Sequence, residues 1–323
     1  MWVGVFIPHD RSEQRRSKMS NISKSLEHEC AVTSGCRALK LILTPKDKDL
    51  GGLSVRRTLP VRGCRSVGPW VFFDHMGPAR FKAGQGVDVK PHPHIGLATV
   101  TYLFEGEMLH RDSLGSEQTI VPGDLNLMVA GRGIVHSERQ REEVKSASHT
   151  LHGLQLWLAL PTQDEQCESA FFHYASADIP SVSENEVPIR VLIGEAYGVV
   201  SPVKTFSNTL YVEARMQAGQ SLVLPEVDEL ALYVVTGQLS VLDNVLEEHS
   251  MAVFAKDAGI IVKALEDTTV ALIGGRSVGK RYMDWNFVAS DKSLIEQAKQ
   301  DWKTGQFPKV PNDDVEFIPL PEW

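Results

Sequence analysis

The sequence predicts an all-β protein built from two antiparallel β-barrels, closed by one short helix and an extended tail. Three observations lead there. Over residues 97–138 short apolar runs alternate with turn residues at Glu105-Gly106-Glu107, Pro122-Gly123-Asp124 and Gly131-Arg132-Gly133, the pattern of an antiparallel meander. The second half repeats it: residues 228–239 (DELALYVVTGQL) parallel 97–108 (LATVTYLFEGEM) when Gly237 is set against Gly106, and Gly259-Ile260-Ile261 stands against Gly133-Ile134-Val135. Residues 291–303 instead have helical periodicity, with Leu294, Ile295, Ala298 and Trp302 on one face, Ser290 as the expected cap and Gly305 as the stop.

Taken in order, residues 1–36 read as a partly disordered N-terminal extension, holding the basic cluster 11–18 as a solvated tail. The first barrel is expected over 37–165. Strands at 38–43 and 52–59 open it, separated by a charged turn at 45–49. Residues 70–73 read as a buried strand followed by Asp74 and His75 in a loop, where His75 either supports the site described below or caps a loop. Pro91 and Pro93 each remove a backbone donor, so their strand belongs at an edge or barrel mouth. The apolar strand at 151–160 carries one polar residue, Gln155, which either faces the cavity or is satisfied by neighbouring backbone. Residues 166–187 are polar, broken by Pro180, and read as a linker. The second barrel, the helix and a proline-rich tail that packs back on the protein fill 188–323.

Composition narrows the function. The chain has 323 residues, 42% hydrophobic and 23% charged, with no apolar run near the ~20 residues of a membrane span. A formal charge of -8 argues against direct nucleic-acid binding, which needs clustered Lys and Arg. The four cysteines lack both CxxC spacing and the density of a disulfide scaffold, and residues 1–7 lack a signal-peptide pattern. A cytoplasmic protein with reduced thiols is expected, or a nuclear one if the source is eukaryotic.

The chemistry is concentrated in two polar pairs, His92-x-His94 and His136-x-Glu138, at the two ends of the first meander. Residues two apart on a strand project from one face, so each pair aims both side chains one way. Curling the meander into a barrel brings the strands together and makes a site of three nitrogens and one carboxylate. No thiolate takes part, which excludes the usual structural zinc site, and an octahedral ion held by His92, His94, His136 and Glu138 keeps two positions for exogenous ligands. One divalent metal per chain is expected, Fe(II) first, with Zn, Cu, Ni, Mn or Co as other occupants. In the second barrel the same register puts Val223, Pro225, Val262 and Ala264 at the ligand positions, so no metal is expected there, and His249 reads as structural.

The two segments resemble cupin motifs, with Thr99 standing where the first motif usually has Glu and Gly106 closing it. HPHIGLATVTYLFEG followed by PGDLNLMVAGRGIVHSE is similar to the pirin family, as are FFDHMGP at 72–78, GLQLWLALP at 153–161 and the closing EFIPLP. The resemblance implies a bicupin of jelly-roll barrels whose C-terminal segment reaches back to the first domain, with His92, His94, His136 and Glu138 as metal ligands. It implies an iron-dependent flavonol (quercetin) 2,3-dioxygenase in which Glu138 is also the catalytic base. It equally implies a second role, a non-catalytic, redox-sensitive regulator that binds a transcription factor or a metabolic enzyme. Expected partners are thus a flavonol-like small molecule and a protein, with neither nucleic acid nor membrane.

Overall fold

The computed structural model of the chain describes residues 31–34, 38–49, 54–256 and 259–322. Two barrels form, each from one large and one small antiparallel sheet. In the first, a seven-stranded sheet runs Ala170–Tyr174, Leu125–Val129, Leu97–Glu105, His149–Ala159, Trp70–Phe81, Ser54–Leu59, Lys46–Asp49. Opposite it, four strands run Asp88–His94, Ile134–Arg139, Met108–Asp112, Glu117–Ile120. The strand with Pro91 and Pro93 is at the edge of that small sheet, as their missing donors require.

Period-two alternation decides what each face buries. In Leu97–Glu105 the side chains of Ala98, Val100 and Tyr102 enter the core between the barrels, where they meet Tyr211, Ala231, Tyr233 and Ile273 of the second half. Thr99 and Thr101, also buried, alternate with them and face the other way, into the first barrel. The two large sheets therefore stack face to face. Polar contacts fix the seam: the Trp70 indole donates to the carbonyls of Leu210 and Gly274, each at 3.1 Å.

Several sequence boundaries shift. Leu39–Thr44 pairs with Met251–Phe254 in the second barrel's large sheet, not in the first barrel. Alternation in so short a strand shows that it has a core face but not which core it serves, and a bulge between Leu39 and Leu41 sends Leu39 into the second barrel's interior and Leu43 into the seam. The expected charged turn contains a strand, Lys46–Asp49, at the edge of the large sheet. Asp74 and His75 continue the buried strand, because Arg57 neutralises Asp74 (Nη2 to Oδ2, 2.6 Å) and His75 finds partners in the seam. The expected linker carries a strand for each barrel: aromatic Ala170–Tyr174 joins the first sheet, and Ser181–Glu184 forms a hairpin with Val187–Ile193 through Asn185 and Glu186, both at positive φ. Of the extension, Ala31–Ser34 pairs with Leu39–Thr44, and residues 1–30 lie outside the described residues.

The helix is Lys292–Lys303, and its cap is Asp291, whose carboxylate accepts from Ser293 N at 2.8 Å. Ser290, the expected cap, is engaged by Glu165 through both its amide and its hydroxyl. Ile295 and Ala298 bury against Ile95, Trp285 and Phe287, so the helix docks on the first barrel. The tail then runs along the strand Asp88–His94, with Ile318 N donating to Pro91 O (2.9 Å) and Lys90 pairing with Glu316 (2.6 Å). Segments cross both ways: an N-terminal strand completes the second barrel, and the C-terminal helix and tail cover the first.

Candidate metal centre

His92 and His94 come from the edge strand, and His136 from its neighbour, opposite His92 in register. All three are buried, and their donor atoms lie within 4.8 Å of one another. His94 Nε2 and His136 Nε2 are 3.1 Å apart. Two cis ligands with bonds of ~2.1 Å to one ion would stand about 3.0 Å apart, so the spacing fits a shared cation.

The outer nitrogens show why the inner ones converge. His92 Nδ1 donates to Lys90 O at 2.8 Å, and His94 Nδ1 to Asn286 O at 3.1 Å. His136 Nδ1 stands 3.4 Å from His110 Nδ1, and His110 Nε2 is 3.0 Å from Asp112 Oδ2. Asp112 is fully buried and its other oxygen accepts from Leu114 N and Ser116 N, at 2.9 and 3.0 Å. Burial pulls the Asp112 carboxyl upward, but hydrogen bonds from His110 and Ser116 hold it below its ordinary value, so it is a charged acceptor. One polarity satisfies the chain in line: Asp112 accepts from His110 Nε2–H, His110 Nδ1 accepts from His136 Nδ1–H, and His136 Nε2 keeps its lone pair for the centre. Phe171 stacks on His110 at 4.3 Å and holds that ring in place.

Burial pushes His92 down to about 4, and burial together with neighbouring histidines pushes His94 and His136 well below the usual range. The trio is therefore neutral at ordinary pH, the form that binds metal. Glu138 follows a register shift between its strand and Asp88–His94, and is not one of the three convergent donors. Its Oε1 accepts from Gln155 Nε2 at 3.2 Å, and Gln155 Oε1 accepts from Thr101 Oγ1 at 2.7 Å. Burial pushes the Glu138 carboxyl up to about 7, against the hydrogen bonds from Gln155 and Thr101. The cavity face of Gln155 is thus the correct one of its two readings. An aromatic wall closes one side: Trp157 is 5.0 Å edge-on from His94 and stacks on Phe72 at 3.9 Å.

His75 does not support this centre. It lies in the seam, with Nε2 2.7 Å from His152 Nε2, Nδ1 2.9 Å from the Tyr233 hydroxyl, and its ring 5.1 Å from that of His249. Sequence reasoning missed His110 and Asp112, although His110-x-Asp112 has the same i, i+2 spacing as the ligand pairs. It could not have found the Asn286 carbonyl, which comes from 192 residues away.

Stacked barrels with a three-histidine centre in the first define a two-barrel cupin that could bind one metal ion there. Residues 52–158 match the Pirin family model and 211–308 the Pirin C-terminal cupin domain; the chain belongs to the pirin family. It is 46% identical over 289 residues to a pirin-like protein of Caulobacter vibrioides, covering 88% of this chain and all of that one. A quercetin 2,3-dioxygenase structure from Acinetobacter baumannii superimposes with a TM-score of 0.81 at 32% identity, over 87% of this chain and 95% of that one. An Escherichia coli pirin solved with nickel(II) shares the fold, with a TM-score of 0.56 and 18% identity over 72% of this chain and 96% of that one.

Proposed function

We propose that this pirin is an iron-dependent flavonol 2,3-dioxygenase, with His92, His94, His136 and Glu138 holding the metal. The observation that carries the reading is the pairing of three neutral, convergent imidazoles with a carboxyl raised to about 7 on the strand that carries His136. Iron bound there would acidify a ligating hydroxyl and bring redox chemistry with dioxygen. The protein's own part is to hold the substrate and take its proton. Burial raises the Glu138 carboxyl to about 7 in the metal-free fold, and as the carboxylate it is suited to accept the proton of an enolic hydroxyl. Gln155 Nε2, itself set by Thr101, fixes the Glu138 oxygen that must receive it. Trp157, stacked on Phe72 and edge-on to His94, makes the wall beside the centre apolar, which suits an apolar substrate. The name of the Acinetobacter structure supports this substrate class.

The test is oxygen uptake by anaerobically iron-loaded protein with quercetin. Turnover above free iron is expected, and Glu138→Gln should lower activity per bound metal by about 10²–10⁴-fold. Activity that merely tracks metal content would make Glu138 a ligand and no base. No uptake above the free-metal control with any flavonol would overturn the enzymatic reading in favour of a metal-dependent binding role.

A further inference from the structure

A second cavity, of about 460 Å³, opens where residues 60–71 of the first barrel face residues 278–292, which follow the second. None of the ligand histidines lines it, although Val71 and Val288 in its wall share a cluster with Trp157. Its volume lies within the range of small-molecule sites. Its lining includes Arg65, Lys280, Arg281 and Lys292 and no carboxylate, in a chain whose formal charge is -8. Such a cavity is a focus of positive potential on an acidic protein.

Two details say that the charge of Lys280, Lys292 and Arg281 is not internally balanced. The ammonium groups of Lys280 and Lys292 stand 4.8 and 5.2 Å from the centre of one ring, that of Tyr282, and neither has a carboxylate partner among the described residues. Attraction to a ring contributes only about 0.5–1 kcal/mol at an exposed site and neutralises neither cation. Behind them Arg281 is half-buried, with Nη2 and Nε on the Leu160 carbonyl at 2.9 and 3.3 Å. Burial lowers its pKa, and the nearby Glu165 carboxylate opposes that only in part. An anion placed between the lysines would relieve all three groups. The same lining includes the apolar side chains of Val71, Val278 and Met283.

We propose that this cleft binds a small organic phosphomonoester, its phosphoryl oxygens held by Lys280 and Lys292 over the fixed charge of Arg281, and its apolar body on Val71, Val278 and Met283. Phenyl phosphate is the probe, titrated calorimetrically into the full chain. Saturable 1:1 binding is expected, with phenol and inorganic phosphate each at least tenfold weaker. The double variant Lys280→Ala, Lys292→Ala should lose tenfold or more in affinity. Lys204→Ala is the control, because Lys204 sits over the Phe172 and Phe206 rings in the same manner but outside this cavity. On the unmodified protein, phenyl phosphate should slow acylation of Lys280 and Lys292, read by mass spectrometry, and leave Lys204 unaffected. No saturable binding up to millimolar concentration, or affinity unchanged in the double variant, overturns the proposal. Inorganic phosphate binding as tightly as phenyl phosphate would overturn the role given to the apolar side chains.

Discussion

The two barrels share a frame and differ in what fills it. In the first, His92 opposes His136 across the strand pair; in the second, Leu222 opposes Val262 at the matching point. Leu222, Leu224, Val262 and Ala264 are buried together in one aliphatic cluster. The sequence register had assigned Val223 and Pro225 to the first pair, one residue too far: Val223 is 40% exposed, while Leu222 is fully buried. The slip arises between Leu224 and Gly237, where the second barrel has one more residue than the first has between His94 and Gly106, and a one-residue slip reverses every side chain of a strand. Correcting it strengthens the contrast. Where the first barrel presents nitrogens tied from behind by carbonyls and by His110, the second presents only methyl groups. One barrel is organised around a site, and the other is packed as a core that supports it.

The largest test of that contrast removes a ligand. His136→Ala should abolish stoichiometric metal binding, with affinity down by at least ~10²-fold, since two of the outer contacts remain but the convergent set is broken. Metal analysis of reconstituted protein should give one equivalent in the wild type. Two tightly held equivalents would mean that the second barrel binds metal after all. Next in size is the tie behind the ligand. His110→Ala should weaken metal binding by about 10–100-fold, and His110→Gln should recover part of it, because an amide can accept from His136 and donate to Asp112. A cobalt(II) spectrum altered by Ala and restored by Gln would separate positioning from general destabilisation. Equal affinity in all three proteins would leave His110 without that role.

How far the sequence reached follows from the range of the interactions. Pairing by i, i+2 spacing is local, so His92, His94 and His136 were legible, as were the edge strand with its two prolines and the helix with its glycine stop at Gly305, φ 70°. Which sheet a short strand joins is not local, so Leu39–Thr44 was placed in the wrong barrel. Nor is the fate of a polar residue inside an apolar strand: Gln155 needed Thr101 and Glu138, and His75 needed Tyr233 from the second barrel. Competition between neighbours decided the helix cap, where Glu165 engages Ser290 and leaves Asp291 to cap.

A third test concerns the tail that crosses the back of the metal-bearing strands. Asp313 accepts from Ser137 Oγ and from Arg139 Nε, both at 2.7 Å, and thereby holds the outward face of the strand that carries His136 and Glu138. Hydrogen bonds from Arg139 and Ser137 hold its pKa below the ordinary carboxylate value despite burial. Asp313→Ala leaves Arg139 with Asp88 and Glu316, so the cost is limited to about 1–2 kcal/mol. At about 2–4 °C per kcal/mol the melting temperature should fall by several degrees. The second barrel has no part in this contact, and an unchanged melting temperature would show that the tail is not fastened there.

An effect of similar size, confined to acid pH, lies in the seam between the barrels, where a second group of histidines packs around Tyr233. His75, His152 and His249 are all held below the usual histidine range, chiefly by burial, with Arg56 adding to the effect on each and with Asp47 and Glu105 opposing it at His249 and His152 respectively; His249 falls to about 4. Each is neutral in the fold and basic when unfolded, so the unfolded chain binds more protons once pH falls below about 6.5, for His249 down to about 4. Stability from this cluster is complete above about 6.5 and is lost as pH falls, for His249 progressively toward 4. For His249 the loss by pH 5 is on the order of 1–2 kcal/mol. His249 has a left-handed backbone, φ 68°, which Asn accepts readily, so His249→Asn removes the titration without straining the turn. Metal-loaded wild type should therefore lose more melting temperature between pH 7 and 5 than His249→Asn does, while metal content stays the same in both. Parallel melting curves across that range would show that His249 does not sense pH in the seam, and metal loss in the variant would place it in the wrong cluster.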